Sequence, residues 1–239
     1  MIAIFDFDGT LTPVPVPQFG ILEKCGMREG FNCPEFRERA LKKVEEMGLY
    51  GAIWAAFFET VKGAGFRATE ENLCLGYEKV KYHDGVDEFL RALKEAGMHN
   101  YLVSGGMKYF LDKISVAPLF EGIYGTTFEF DENGEADKAA RIIGDKEKAE
   151  VIREILELEG KDAEDCKEVV YFGDGHTDYY AMEYVKRHGG ETVFIYRDDS
   201  KKYLDELKEE GLVSAYFKPD YLPNGEIRRY LMETFGVVL

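Results

Sequence analysis

The chain opens with Met1-Ile2-Ala3-Ile4-Phe5-Asp6-Phe7-Asp8-Gly9-Thr10, an apolar run followed by two closely spaced acids. Residues 2–5 are apolar and end at an acid, which predicts a buried strand. Asp6 and Asp8 follow that strand two residues apart, and Gly9 lets the backbone turn both side chains toward one pocket. Such a pair is costly to bury unless a cation lies between the acids or one of them is protonated. One acid can then attack phosphorus while the other protonates the leaving oxygen. Capping of a turn is the alternative role for the same pair.

Strands and helices alternate regularly in the second part of the chain. The pattern predicts an α/β fold with a doubly wound parallel sheet that has helices on both faces. Predicted strands cover 100–103, 122–125, 126–130, 168–172 and 192–196. One predicted helix has Val86, Phe89, Leu90 and Leu93 on one face and ends at Gly97, and another begins at Gly106. Further predicted helices cover 146–158, 177–188, 200–210 and 225–234.

An insertion separates the first strand from this alternating part. The alternating prolines of Pro13–Pro17 predict a stiff, extended linker that leaves the core. Apolar residues then recur at steps of three and four over residues 34–64, which predicts helices. The chain is therefore divided into a core of residues 1–13 and 81–239 and a helical insertion of residues 14–80.

Charge and composition exclude several classes of partner. The 239 residues include 46 acids and 30 basic residues, a net charge of −16. Such a surface repels nucleic acid and anionic membrane, so neither is expected as a partner. The apolar run at the N-terminus is too short for a secretory segment, which favours a cytoplasmic protein with reduced cysteines. Binding of an anionic phosphate ester would need local positive charge from a metal and a lysine.

Two further polar stretches follow predicted strands. Ligands of such sheets lie beyond the carboxyl ends of the strands. Ser104-Gly105-Gly106 offers a hydroxyl and bare backbone N–H groups for a phosphate, although a serine in this place is most often a helix N-cap and can serve as both. Asp174 and Asp178 bracket Gly175-His176-Thr177 and are typical oxygen ligands of Mg²⁺. Helix capping explains each acid singly but not the glycines around them.

A lysine completes the set. Lys148 precedes Val151, Ile152 and Ile155 at helical spacing and is predicted to share their buried face, whereas Lys146 is predicted to face water. A lysine at the head of an apolar stripe is more often a surface residue. The need for positive charge among four acids favours Lys148 as the phosphate ligand.

Taken in order, these segments resemble the four motifs of the haloacid dehalogenase superfamily, and most closely its phosphoserine-phosphatase-like branch. The matching segments are Asp6–Thr12, Ser104–Gly106, Lys148 and Gly173–Asp178. The resemblance implies a Rossmann-like core, a small helical cap and a magnesium-dependent phosphatase that acts on a small phosphorylated metabolite.

The resemblance also implies individual roles. Asp6 would be the nucleophile that forms an aspartyl-phosphate, and Asp8 the general acid and then the base. Phosphate oxygens and Mg²⁺ would be held by separate sets of groups. The phosphate ligands would be Thr10, Ser104, Lys148 and backbone N–H groups near Asp8 and Gly105. The metal ligands would be Asp6, the Asp8 carbonyl and Asp174, with Asp178 acting mostly through its neighbours.

Substrate and product remain open at this level. Phosphoserine phosphatases of the branch carry a Glu after the first motif and an Arg in the cap, but here Pro13–Pro17 and Thr60-Val61-Lys62 occupy those places. Phosphoserine is therefore not expected. Two other functions fit the same site: a phosphomutase, and a non-catalytic phosphate-binding protein. A dehalogenase is disfavoured because its branch lacks the acid at the place of Asp8.

The residues around the pocket are also open to two readings. Trp54, Phe57 and Phe58 either line the substrate face of the cap or form its core. His83 and His176 are expected to flank the mouth of the cavity, where a histidine is more often structural than catalytic.

Overall fold

The computed structural model describes residues 1–14, 20–198 and 200–239. In this part of the chain, seven strands form one sheet in the order β4-β3-β2-β1-β5-β6-β7. All neighbours are parallel except β3 and β4. The strands are β1 (Ile2–Phe5), β2 (His99–Met107), β3 (Gly122–Phe130), β4 (Ala136–Arg141), β5 (Val169–Gly173), β6 (Glu191–Ile195) and β7 (Ala215–Phe217).

Strand β1 lies at the centre of the sheet because all four of its residues are apolar and can be buried on both faces. Phe5 is level with Leu102 of β2 and with Phe172 of β5. The segments that follow these three strands therefore emerge side by side at one edge of the sheet. This register places Asp6, Ser104 and Asp174 in the same region.

Helices cover both faces of the sheet, as predicted. Ala3 and Phe5 belong to one apolar core, together with residues of α5 and α10. Ile2 and Ile4 belong to the other, together with residues of α7, α8 and α9. The helices of this part are α5 (Val86–Glu95), α6 (Lys108–Leu111), α7 (Asp145–Leu158), α8 (Tyr179–Arg187), α9 (Lys201–Glu209) and α10 (Glu226–Phe235). The predicted α/β class with a doubly wound sheet is confirmed.

The described part of the insertion consists mainly of helices joined by turns and short loops. Its helices are α1 (Ile21–Lys24), α2 (Pro34–Leu41), α3 (Val44–Gly63), which is kinked at Gly48, and α4 (Glu70–Leu73). Trp54, Phe57 and Phe58 of α3 surround Phe128 of β3, so the insertion packs against the β3–β4 hairpin. The division at residues 14 and 80 stays a prediction. Most of the proposed linker Pro13–Pro17 lies outside the described residues.

Several predicted elements are wrong in detail. The two strands expected over 122–130 are one continuous strand, β3. Residues 106 and 107 continue β2, where Met107 pairs with Thr126, and the helix begins only at Lys108. Strands β4 and β7 were not predicted. The sequence of β4, Ala-Asp-Lys-Ala-Ala-Arg, lacks apolar alternation, and this edge strand forms because the hairpin holds it against β3.

Among the described residues, no helix has both the length and the apolar character required to cross a membrane.

Candidate active site

Three buried carboxylates meet beyond the ends of β1 and β5. Asp6 follows β1 and Asp174 follows β5, while Asp178 ends a 3-10 turn over His176–Asp178. One carboxylate oxygen from each lies within 4.8 Å of the others. The sequence placed these acids at one sheet edge, and the structure brings them together there.

Lys148 lies between two of these acids. Its Nζ donates to Asp6 Oδ1 at 2.8 Å and to Asp178 Oδ1 at 2.7 Å. The side chain is only 3% exposed because it shares the buried face of α7 with Val151 and Ile152, as predicted. Lys146 is exposed, also as predicted. The ammonium of Lys148 therefore contacts the candidate nucleophile Asp6 and is shielded from solvent.

Asp178 organises this region and has both carboxylate oxygens engaged. Besides Lys148, its Oδ1 accepts from the Tyr171 hydroxyl at 2.6 Å. Its Oδ2 accepts from the backbone N–H groups of Asp174 at 3.0 Å and Gly175 at 3.1 Å. Through these hydrogen bonds, Asp178 orients Lys148 and the loop that carries Asp174. The role of Asp178 beside a bound metal stays a prediction.

Burial and mutual repulsion shift the pKa values of these groups. Burial raises the pKa of Asp6 to about 7, although Lys148 opposes this. Burial, together with the charges of Asp178 and Asp6, raises the pKa of Asp174 well above its usual value. Burial alone would lower the pKa of Lys148, but the two acids outweigh it and raise that pKa. When all three acids are ionised, the site thus carries more negative charge than its own cations neutralise.

Arg197 is a site residue that the sequence reasoning missed. Its Nη1 donates to Asp174 Oδ2 at 2.8 Å. The signal was present, since Arg197 comes two residues after the end of β6, at the same edge of the sheet. Gly9 makes room for this pair: its φ is +86°, and a Cβ there would overlap both Asp174 and Arg197. Only glycine suits both constraints.

The remaining predicted residues lie around the carboxylates. Asp8 is half-buried and pairs with Thr12 in an isolated bridge. Thr10 is fully buried, and its Oγ1 has no hydrogen-bond partner among the described residues. Ser104 Oγ accepts from the Gly106 N–H at 3.0 Å, so it caps a local turn and not a helix. The Gly105 carbonyl accepts from Thr126.

A cavity of 270 Å³ lies above Asp6. Its floor includes Asp8, Ser104, Gly105 and Lys148. The opposite wall comes from the insertion and is formed by Phe31, Tyr50, Ile53 and Trp54. Of the three aromatic residues considered for the substrate face, only Trp54 lines this cavity, while Phe57 and Phe58 are buried in the packing around Phe128.

Neither of the two histidines lies in that lining. His83 is half-buried, and burial lowers its pKa. His176 is exposed and contacts the rings of Tyr179 and Tyr203.

The donor set fits a hard divalent cation. Carboxylate oxygens are the preferred ligands of Mg²⁺, which needs only one or two of them besides water and substrate oxygens. Asp6 and Asp174 offer such oxygens in a cluster whose three acids, when ionised, carry one more charge than Lys148 and Arg197 together. The unpartnered Thr10 hydroxyl adds a polar group at the same strand end.

Comparison with known proteins assigns the family. The family model for haloacid dehalogenase-like hydrolases matches residues 3–183. The chain belongs to this family. The match spans every motif from Asp6 to Asp178, so the resemblance inferred from those motifs is confirmed.

One relative and two solved structures extend the comparison. A phosphoserine phosphatase from Archaeoglobus fulgidus is 30% identical over 213 residues, which cover 88% of this chain and 57% of that protein. This chain thus spans little more than half of that relative's length. A substrate-bound phosphoserine phosphatase complex has a TM-score of 0.63 at 16% identity, covering 97% of this chain and 96% of the other. A phospho-aspartyl intermediate analogue of phosphoserine phosphatase has a TM-score of 0.64 at 18% identity and covers 97% of each chain. At these identities the structures support the fold.

Proposed function

We propose that this protein is a magnesium-dependent phosphatase that hydrolyses a small phosphomonoester through an aspartyl-phosphate on Asp6. The observation that carries the proposal is the contact of Lys148 Nζ with Asp6 Oδ1 at the floor of a cavity, beside two further buried carboxylates. This arrangement offers a nucleophile, a fixed cation and a candidate metal site. These are the parts that phosphoryl transfer requires.

In the first half-reaction, a carboxylate oxygen of Asp6 attacks phosphorus and a new P–O bond forms. The bond between phosphorus and the ester oxygen breaks, and Asp8 donates its proton to that oxygen so that a neutral alcohol leaves. Lys148 balances the negative charge of the transferred group. Ser104, Thr10 and nearby backbone N–H groups bind its outer oxygens.

In the second half-reaction, Asp8 accepts a proton from a water molecule that attacks the same phosphorus. The P–O bond to Asp6 breaks, which releases inorganic phosphate and restores the carboxylate. Mg²⁺, held by Asp6, the Asp8 carbonyl and Asp174, would supply positive charge that offsets repulsion between the phosphate and the acids. Asp178 and Arg197 keep the lysine and Asp174 in place.

The test is an Asp6→Asn variant assayed with p-nitrophenyl phosphate and Mg²⁺. Asparagine keeps the shape and an acceptor oxygen for Lys148 but removes the nucleophile, so turnover should fall by at least about 1,000-fold. Asp205→Asn is the matched control, because Asp205 is an exposed acid on α9. Turnover at the parent rate in Asp6→Asn would overturn the proposal.

An Asp8→Asn variant tests the intermediate directly. With p-nitrophenyl phosphate the leaving group departs without help from an acid, so loss of Asp8 slows mainly the second half-reaction and phosphorylated protein should accumulate. Intact-mass spectrometry would show one added phosphoryl group, removable by hydroxylamine as expected for an acyl phosphate. Phosphorus NMR with a hexose phosphate separates hydrolysis from a mutase reaction, since a mutase returns the phosphoryl group to a second hydroxyl of the sugar.

A further inference from the structure

The wall of the cavity that faces Asp6 comes mainly from one face of α3. Tyr50, Ile53 and Trp54 recur at steps of three and four, so their side chains project on one side of the helix. Phe31 lies edge-on against Trp54 and extends this wall. All four residues line the cavity that Asp6, Ser104 and Lys148 close from below. The alcohol part of a bound ester must therefore lie against aromatic and aliphatic carbon.

The charged groups that line the cavity are confined to its floor. They are Asp6, Asp8 and Lys148, and the lysine is already engaged by two carboxylates. No charged side chain belongs to the described part of the opposite wall. Residues 15–19, which the structure does not describe, read Pro-Val-Pro-Gln-Phe and contain no ionisable side chain.

Among the polar side chains of this lining, Tyr50 and Ser104 already have hydrogen-bond partners, and the exposed Thr177 hydroxyl carries no charge. The Tyr50 hydroxyl donates to the Asp145 carboxylate at the start of α7. Ser104 Oγ accepts from Gly106 and lies at the phosphate end. The ammonium and carboxylate of an amino acid would thus lose water without gaining ionic partners, which is unfavourable. An apolar group would instead gain from burial.

We propose that the substrate is the phosphomonoester of an uncharged, apolar alcohol with an aromatic or branched aliphatic group. This inference rests on the proposed function and names its substrate class. On this inference the chain differs from the phosphoserine phosphatases to which it is similar, because the described part of its cavity wall offers no charged side chain to bind an amino acid. Ile53, Trp54 and Phe31 are the residues that set specificity.

The first experiment compares kcat/KM for 2-phenylethyl phosphate and phosphoserine with Mg²⁺ present. Both are esters of primary alcohols, so the comparison reports mainly on the cavity. We expect kcat/KM for 2-phenylethyl phosphate to exceed that for phosphoserine by about 100-fold or more, because the apolar wall binds its transition state more tightly. Equal or better turnover of phosphoserine would overturn the inference and leave the proposed phosphatase activity standing.

A binding measurement decides the inference even if no ester is hydrolysed. Trp54 is the single tryptophan of the chain and lines the cavity, so its fluorescence reports occupancy. Asp6→Asn protein should show saturable quenching by 2-phenylethyl phosphate at a concentration at least tenfold lower than by phosphoserine. Failure of turnover combined with this binding preference would refute the phosphatase reaction but support the ligand class. Equal binding of the two esters would refute the ligand class.

A charge introduced on the wall provides a second test. Ile53→Lys places an ammonium in the cavity and should lower kcat/KM for 2-phenylethyl phosphate by about tenfold or more, while it raises the relative rate with phosphoglycolate, which has a carboxylate. Leu49→Lys is the control, because Leu49 is 52% exposed and does not line this cavity. An unchanged ratio of the two rates in Ile53→Lys would contradict the assignment of this wall.

Discussion

Replacement of Lys148 by methionine tests the electrostatic balance of the site most directly. Methionine keeps much of the length and apolar volume of the stem but removes the ammonium. The lysine is 3% exposed and bonds two buried carboxylates at 2.8 and 2.7 Å. Removal of one partner from a buried ion pair costs about 3–5 kcal/mol, because the remaining charge stays buried without compensation. For a domain of this size, that loss lowers Tm by about 6–20 °C.

The assay is differential scanning calorimetry with and without Mg²⁺, followed by phosphate release. Mg²⁺ should restore part of the lost stability, since a divalent cation offsets the uncompensated acids. Turnover should fall by about 100-fold or more, the usual loss when one group that stabilises developing charge is removed. Lys146→Met is the matched control on the same helix, and its unfolding free energy should change by less than about 0.5 kcal/mol. A Tm of Lys148→Met within 2 °C of Lys146→Met would refute this account of the ion pair.

Three further predictions concern positions with matched controls or a defined pH range. Gly9→Ala and Gly97→Ala both place a side chain at positive φ, so each variant should lose about 1–2 kcal/mol of stability. Only Gly9→Ala should also lose activity, by about 100-fold, because only its methyl group overlaps side chains of the site. Phe128→Ala should lower the unfolding free energy by about 3–5 kcal/mol in urea, since its ring contacts three aromatic rings of α3, whereas the more exposed Phe130→Ala should lose less than about half as much. Burial would raise the pKa of Glu159, but hydrogen bonds from a tyrosine and a histidine outweigh burial and lower that pKa. The ionised Glu159 therefore stabilises the folded state above the usual carboxyl pKa, and this stabilisation is lost as pH falls through the folded-state pKa. Glu159→Gln should accordingly be about 1 kcal/mol less stable than the parent at pH 7, and the difference should shrink as pH falls below the usual carboxyl pKa; a constant difference would contradict the assignment.

The centre of the sheet and the acids at its edge could be predicted from the sequence. A buried parallel strand needs apolar residues on both faces, and Ile2–Phe5 and Val169–Phe172 satisfy this within a single run. The acid after each run marks where the chain leaves the core. Strand ends of a parallel sheet share one edge, so local patterns were enough to bring Asp6 and Asp174 together.

Features that depend on distant partners could not be predicted. Strand β4 has no apolar alternation, and its conformation comes from pairing with β3. The pairing of Arg197 with Asp174 depends on how the loop after β6 turns back over Gly9. Likewise, Trp54 and Phe57 belong to one apolar helical pattern and both pack against Phe128, so the pattern does not show that Trp54 alone of the two lines the cavity.

The hydrogen bond from Tyr50 to Asp145 joins the wall of the cavity to the helix that carries Lys148. Asp145 is the first residue of α7, and Lys148 comes three residues later, within one turn. The wall proposed to select the alcohol and the lysine proposed to hold the phosphate are thus connected through one hydrogen bond. Changes of substrate preference through α3 are therefore constrained at Tyr50. A variant without the Tyr50 hydroxyl needs another contact to hold the start of α7, because Lys148 is aligned by this helix.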